Sequence, residues 1–334
     1  MTEPRSRKDV ILSKKPIVAI CYDFDKTLSP DDMQAFTFIP SIGMDKQAFW
    51  DESNALAKDN RMDKNLAWMH LMLKKSDANN LPVTREAFKA LGKDVKLFKG
   101  VPTWFKHVNE LGDRLGLEVR HYIISSGLKE IIEGSSIAGN FNRIYASSFF
   151  YSVNGVAIWP AQTVNYTNKT QYIFRIAKGF LEEHDERVND SMPDDELEIP
   201  YENFIYIGDS DTDVPCMRVV TSKGGYSIGV YNPETDKRAR VYKLFEDGRL
   251  NFFAPADYST AGDLFETVKE ILECISTKEN LKAKKRELKA LSTPYKLYKD
   301  VEKILGNKAG GKRIPKREQE LLASLKDQVE GNTD

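Results

Sequence analysis

Asp23 and Asp25 stand one residue apart at the end of an apolar run, IVAICYDFDKT. Burying one carboxylate is costly, and two close together repel each other. A cation beside them would offset both effects. A second acidic group, GDSDTD, closes another apolar run and carries Asp209, Asp211 and Asp213. A third run, HYIISSG, ends in Ser125, Ser126 and Gly127. Each tip carries a glycine, a hydroxyl or a carboxylate, the groups that bind ligands at the carboxyl edge of a parallel sheet.

The elements that must position these tips are legible. Residues 17–22, 119–124, 204–207 and 226–230 are nearly all apolar rather than alternating. Such runs suit parallel strands covered by helices on both faces. Between them lie helical periods. Residues 103–116 put Trp104, Val108, Leu111 and Leu115 on one face and end in glycine. Residues 169–184 group Tyr172, Ile173, Ile176, Ala177 and Phe180. Residues 261–275 group Leu264, Val268, Ile271 and Leu272. This alternation predicts an α/β fold, a doubly wound parallel sheet. Residues 31–99 break it with helical stretches alone, Thr84 being an N-cap candidate. They are expected to form an inserted helical lid, in which Trp50, Trp68, Met69 and Met72 either line a pocket or make its own core. Asn154-Gly155 between apolar residues predicts a hairpin.

The composition excludes several classes. Over 334 residues, 41% apolar and 30% charged content is ordinary for a globular chain. A net charge of -1 points to neither nucleic acid nor membrane. The three cysteines, Cys21, Cys216 and Cys274, lack metal-ligand spacing and fit a reducing compartment. The early VILS stretch is too short for a signal peptide, and no window approaches a membrane span. The expected location is the cytoplasm. Glu182 to Glu198 has nine acids against one base, Arg187, and is expected to be an exposed insertion. From Lys278 to Arg317 there are 14 Lys and Arg against four acids. That basic tail is expected to begin helical and to break at GNKAGGKRIP. It carries no nucleic-acid motif, although its charge leaves RNA or an acidic partner open.

Four motifs together resemble the haloacid dehalogenase-like (HAD) superfamily. DFDKT is similar to its first motif, YIISSG to its second, Lys169 in TNKTQYIF to its third and GDSDTD to its fourth, in the family's order. The resemblance implies a core of residues 1–30 and 100–275, a helical cap over 31–99 and a C-terminal extension over 276–334. It implies that Asp23 attacks phosphorus to form an aspartyl-phosphate. Asp25 then serves as acid and base. Dehalogenase members lack that second aspartate, so its presence implies phosphoryl transfer; P-type ion pumps also lack it, carrying a threonine there, and the expected absence of membrane spans argues further against them. The implied cofactor is Mg²⁺, held by the carboxylates of Asp23 and Asp209 and the backbone carbonyl of Asp25. Asp213 orients from behind, with Asp211 its rival. Thr27, Ser125, Ser126 and Gly127 would bind phosphate, the last two through N–H groups opening a helix. Ser125 competes with Ser126 for the hydroxyl role. Lys169 would balance charge, with Lys178 the other candidate. The motifs resemble the branch that includes phosphoserine phosphatase, where a carboxylate nine residues past the nucleophile reads an amine. Asp32 has that spacing, and equally suits a helix start. The implied activity is a phosphatase acting on a small phosphorylated metabolite. A phosphate- or phosphoprotein-binding protein without turnover, and a phosphotransferase, are the alternatives.

Overall fold

The structure is a computed structural model that describes residues 15–235 and 238–308. Its centre is a seven-stranded sheet in the order β4-β3-β2-β1-β5-β6-β7. The strands are β1 (Ile17–Tyr22), β2 (Glu118–Leu128), β3 (Arg143–Tyr151), β4 (Ala157–Gln162), β5 (Phe204–Gly208), β6 (Tyr226–Tyr231) and β7 (Phe252–Pro255). All neighbours pair in parallel except β3 and β4, the expected hairpin. The short β7 was not anticipated, because FFAP is too brief to show a period.

The helices are α1 (Met33–Phe36), α2 (Phe38–Ser41), α3 (Lys46–Asp59), α4 (Lys64–Ala78), α5 (Arg85–Leu91), α6 (Val101–Arg114), α7 (Lys129–Gly134), α8 (Thr170–Lys178), α9 (Val214–Ser222), α10 (Arg238–Glu246) and α11 (Asp263–Lys308). One compact unit ends at Glu273 and a second begins at Cys274. Helix α11 runs through both, and the rest of the basic tail lies outside the described residues.

β1 is wholly buried, as its unbroken apolar run requires. Alternate residues point to opposite faces. Ile17, Ala19 and Cys21 share a core with Tyr172, Ile173 and Ile176 of α8 and with Cys216, Met217 and Val220 of α9. Tyr22 turns the other way, against Phe105 of α6. There Trp104 Nε1 donates to the Tyr22 hydroxyl at 2.8 Å, and Tyr22 meets His121 Nδ1 at 3.0 Å. In the lid region, α3, α4 and α5 begin at Asp45, Asp63 and Thr84, each side chain accepting backbone N–H groups of the first turn. Met69 and Met72 are fully buried.

The acidic segment is mostly exposed and is tied down by cations. Arg175 donates to the carbonyls of Glu182, Glu183 and Asp185, and Arg143 to the carboxylates of Glu182 and Glu183. Lys178 donates to the carbonyls of Val188 and Asp190, so it serves this segment rather than the strand tips.

Among the described residues, no helix is long and apolar enough to cross a membrane.

Candidate active site

Strand order brings the tips together. β1 lies between β2 and β5, with Tyr22 opposite both Ile123 and Ile207. The next residue of each strand therefore emerges at the same edge, where connections depart in opposite directions. Asp23 N–H donates to Ile207 carbonyl at 3.0 Å, extending the ladder by one bond. Asp23, Asp209 and Asp213 each place a carboxylate oxygen within 4.8 Å of the others.

Lys169 is the counter-charge. It has no exposed surface, and its Nζ lies 2.8 Å from Asp213 Oδ1 and 3.3 Å from Asp23 Oδ1. The loop ahead of α8 carries it inward. Burial alone would discharge it, but Asp213 and Asp23 together hold its pKa above the ordinary lysine value. Asp213 is saturated. Oδ1 accepts from Lys169 and the Tyr206 hydroxyl, and Oδ2 from the backbone and hydroxyl of Ser210. Asp211 is exposed and pairs with Arg240 at 2.6 Å, outside the buried cluster.

Burial pushes the Asp23 carboxyl up to about 6; Lys169 opposes this and Asp213 adds to it. Burial also raises Asp209 well above the carboxylate range, helped by Asp213 and Asp23. Three carboxyl groups crowd against the buried Lys169 ammonium, an arrangement that a divalent cation would balance. The donors are all hard oxygens, the kind Mg²⁺ prefers. The residues therefore fit that ion.

Asp25 begins a tight loop in which Lys26 adopts a positive φ of 59°. Asp25 Oδ1 accepts from Met33 N–H at 2.8 Å, so the start of α1 holds it in place. Burial, then Asp32 and Asp23, raises its pKa well above normal. A carboxyl whose pKa is raised in this way is suited to proton donation. Gly127 packs closely here: a Cβ would lie 2.1 Å from Met33 Cε and 2.9 Å from Asp25 Oδ2, so the ends of those side chains would have to move. Gly208 is required likewise, because a Cβ would lie 2.6 Å from the Asp213 carboxyl carbon.

The remaining expected residues divide. Ser125 is buried beside Asp23, lowers that carboxyl's pKa, and accepts from Gly127 N–H at 3.1 Å. Ser126 lines the cleft, and its buried hydroxyl has no partner. Two expectations are corrected. β2 continues to Leu128, so Ser126 and Gly127 end a strand rather than open a helix. The helix that follows, α7, starts only at Lys129, and the Gly127 amide is already used. Thr27 is wholly buried, its hydroxyl unpartnered, and it is not among the cleft-lining residues, because the loop turns it toward the core. Asp32 lines the cleft, with Oδ1 taken by Lys26 at 2.6 Å.

Together these groups surround a cleft of about 310 Å³ lined by Asp23, Asp25, Ser125, Ser126 and Asp209. The haloacid dehalogenase-like hydrolase model matches residues 20–218 of the chain. The chain belongs to that family. A Borreliella burgdorferi protein described as uncharacterized is 28% identical over 290 residues, 79% of this chain and 99% of its own length. A substrate-bound phosphoserine phosphatase is similar in structure, with a TM-score of 0.46, 14% identity, and coverage of 77% of this chain and 99% of that one. A probable phosphoserine phosphatase from Vibrio cholerae has a TM-score of 0.49, 10% identity, and coverage of 79% of this chain and 67% of that one.

This haloacid dehalogenase-like hydrolase also lines its cleft with residues that the motifs did not flag: Lys26, Lys64, Asn65, Asn165, Tyr166 and Arg240. Lys64 and Asn65 open α4, and that turn is fastened to the loop ahead of Lys169. Asn65 Nδ2 donates to Val164 carbonyl at 2.8 Å, and Asn165 Nδ2 to Asp63 Oδ2 at 3.1 Å. Positive φ angles at Lys26 and Tyr166 mark the loops involved, but neither leaves a sequence signal as a glycine would.

Proposed function

We propose that this hydrolase cleaves phosphate monoesters of small metabolites through an aspartyl-phosphate on Asp23. The observation that carries the reading is the Asp23, Asp209 and Asp213 cluster with Lys169 buried against it. Asp23 Oδ1 is held by Phe24 N–H at 2.8 Å and by Lys169, so Oδ2 is assigned to attack phosphorus. As the bond to the leaving oxygen breaks, Asp25 gives that oxygen its proton and the alcohol departs. Asp25 then takes a proton from water. The water attacks phosphorus, the Asp23–phosphate bond breaks, and phosphate leaves with Asp23 restored.

Asp23, Asp209 and the Asp25 carbonyl would hold Mg²⁺, with Asp213 fixing Lys169 and the Ser210 turn. When bound, the ion supplies charge stabilisation to the phosphoryl oxygens. Ser125, Ser126 and Lys169 add donors on the same side. Residues 31–99 act as a cap whose α4 end closes on the cleft.

The test is release of 4-nitrophenol from its phosphate ester by the purified chain with Mg²⁺. EDTA and Asp23→Asn should each abolish it. Turnover that survives both refutes the mechanism. No turnover in any condition favours a binding protein.

A further inference from the structure

Lys169 closes a single 3-10 turn, Tyr166–Lys169, whose backbone is strained. Tyr166 has a φ of 39°, a left-handed value, although it carries a Cβ. Its side chain is exposed, so packing does not hold it there. Such a backbone persists only where its neighbours fix it. Within the loop, Asn165 N–H donates to Asn168 Oδ1 at 2.6 Å, and Asn168 Nδ2 to the Thr163 carbonyl at 3.0 Å. The Asn165 side chain caps the turn in return. From the sheet, the Ser147 hydroxyl accepts from Val164 N–H at 3.1 Å.

Two more bonds come from the start of α4, 99 and 102 residues away in the chain. They run from Asn65 Nδ2 to the Val164 carbonyl and from Asn165 Nδ2 to Asp63 Oδ2. Asn65 and Asn165 are 6% and 8% exposed, so water has little room to replace either bond. Neither helix start needs the Asn165–Asp63 bond. Asp63 caps α4 through its other oxygen, Oδ1, and Asn165 caps its own turn. The bond therefore serves the junction between the two segments. What hangs on that junction is Lys169, whose Nζ is 2.8 Å from Asp213 and 3.3 Å from Asp23. A loop shift of about 1 Å would carry the ammonium out of hydrogen-bond reach of Asp23.

We propose that Asn165 and Asn65 are positioning residues for Lys169: they fasten its loop to the start of α4, and the ammonium stands against Asp23 only while the two segments stay joined. The part Lys169 plays in phosphoryl transfer rests on the reaction proposed above. Its placement by the two amides rests on the hydrogen bonds alone. Lys64, between Asp63 and Asn65, borders the cleft on the same turn, so the charge at Asp63 must be conserved in any test.

The experiment exchanges the two partners. Asn165→Asp sets a carboxylate against that of Asp63 but keeps both caps, because aspartate and asparagine cap equally well. Adding Asp63→Asn restores the bond with its direction reversed and leaves the net charge beside Lys64 as it was. With the full chain, Mg²⁺ and 4-nitrophenyl phosphate, Asn165→Asp should lower kcat by about 10²-fold and leave KM within about threefold, as expected for a displaced catalytic group. The double variant should recover at least about tenfold of that loss, since the two sites act through one bond. A rise in KM alone would make Asn165 a substrate contact and overturn the proposal. A double variant no better than the single one overturns it too. If the wild type releases no nitrophenol, the phosphatase reading fails separately, and thermal unfolding in EDTA decides the placement. Lys169→Met should then lower the Tm about half as much, or less, in the Asn165→Asp background as in wild type, and by the full amount in the double variant. Additive effects refute the placement. Should Asn165→Asp not fold, Asn165→Ser, still a cap but too short to reach Asp63, takes its place in the kcat and Tm comparisons.

Discussion

Lys169→Met removes the ammonium that sits 2.8 Å from Asp213 and 3.3 Å from Asp23. Methionine has nearly the same length and leaves no large cavity, so the loss is electrostatic. Breaking a buried ion pair by deleting one partner costs about 3–5 kcal/mol, because the other charge is left uncompensated. At about 2–4 °C per kcal/mol for a large domain, the expected fall in Tm is about 6–20 °C. The assay is thermal unfolding followed by circular dichroism in EDTA, then with Mg²⁺. A divalent ion neutralises the same carboxylates, so Mg²⁺ should raise the Tm of the variant more than that of the wild type. Adding Asp213→Asn removes one of the stranded charges, and the double variant should be more stable than the sum of the two single effects. A Lys169→Met protein that unfolds within about 2 °C of wild type in EDTA would refute the charge argument.

Two other outcomes follow from groups near the same strands. His121 is buried, bonded to Tyr22 and Asn109, and burial lowers its pKa from 6.5 to about 3. Its stabilising contribution is complete above pH 6.5 and is lost as the pH falls toward 3, because the unfolded chain takes up the proton first. At about 1.36 kcal/mol per pH unit below 6.5, urea unfolding should show about 2 kcal/mol lost by pH 5, and His121→Asn should flatten that dependence. Gly127→Ala puts a Cβ 2.9 Å from Asp25 Oδ2. Displacing that carboxyl should reduce kcat by about 10²-fold with the fold intact by circular dichroism, and undiminished kcat would show that Asp25 need not sit there.

The local record in the sequence was strong. β1 spans the same residues as its apolar run, and α3, α4 and α5 start one residue after Asp45, Asp63 and Thr84. Both depend on near neighbours, a period and a cap, so one stretch of chain suffices. The meeting of Asp23, Asp209 and Lys169 was implied by the resemblance of the four motifs to a known family, not by any local period or cap.

Other features needed the folded chain. Asp211 and Asp213 are both acidic and two residues apart, yet Arg240 draws one to the surface while Lys169 and Tyr206 bury the other. The Thr27 hydroxyl was drawn inward by a loop whose turn no single residue reveals. Lys64 and Asn65 reach the cleft only because the start of α4 packs beside the strand tips. Residue type is a local property. Which charges meet, and which polar atoms are left unmet, depends on contacts between segments far apart in the chain, and the order of strands in the sheet sets those contacts.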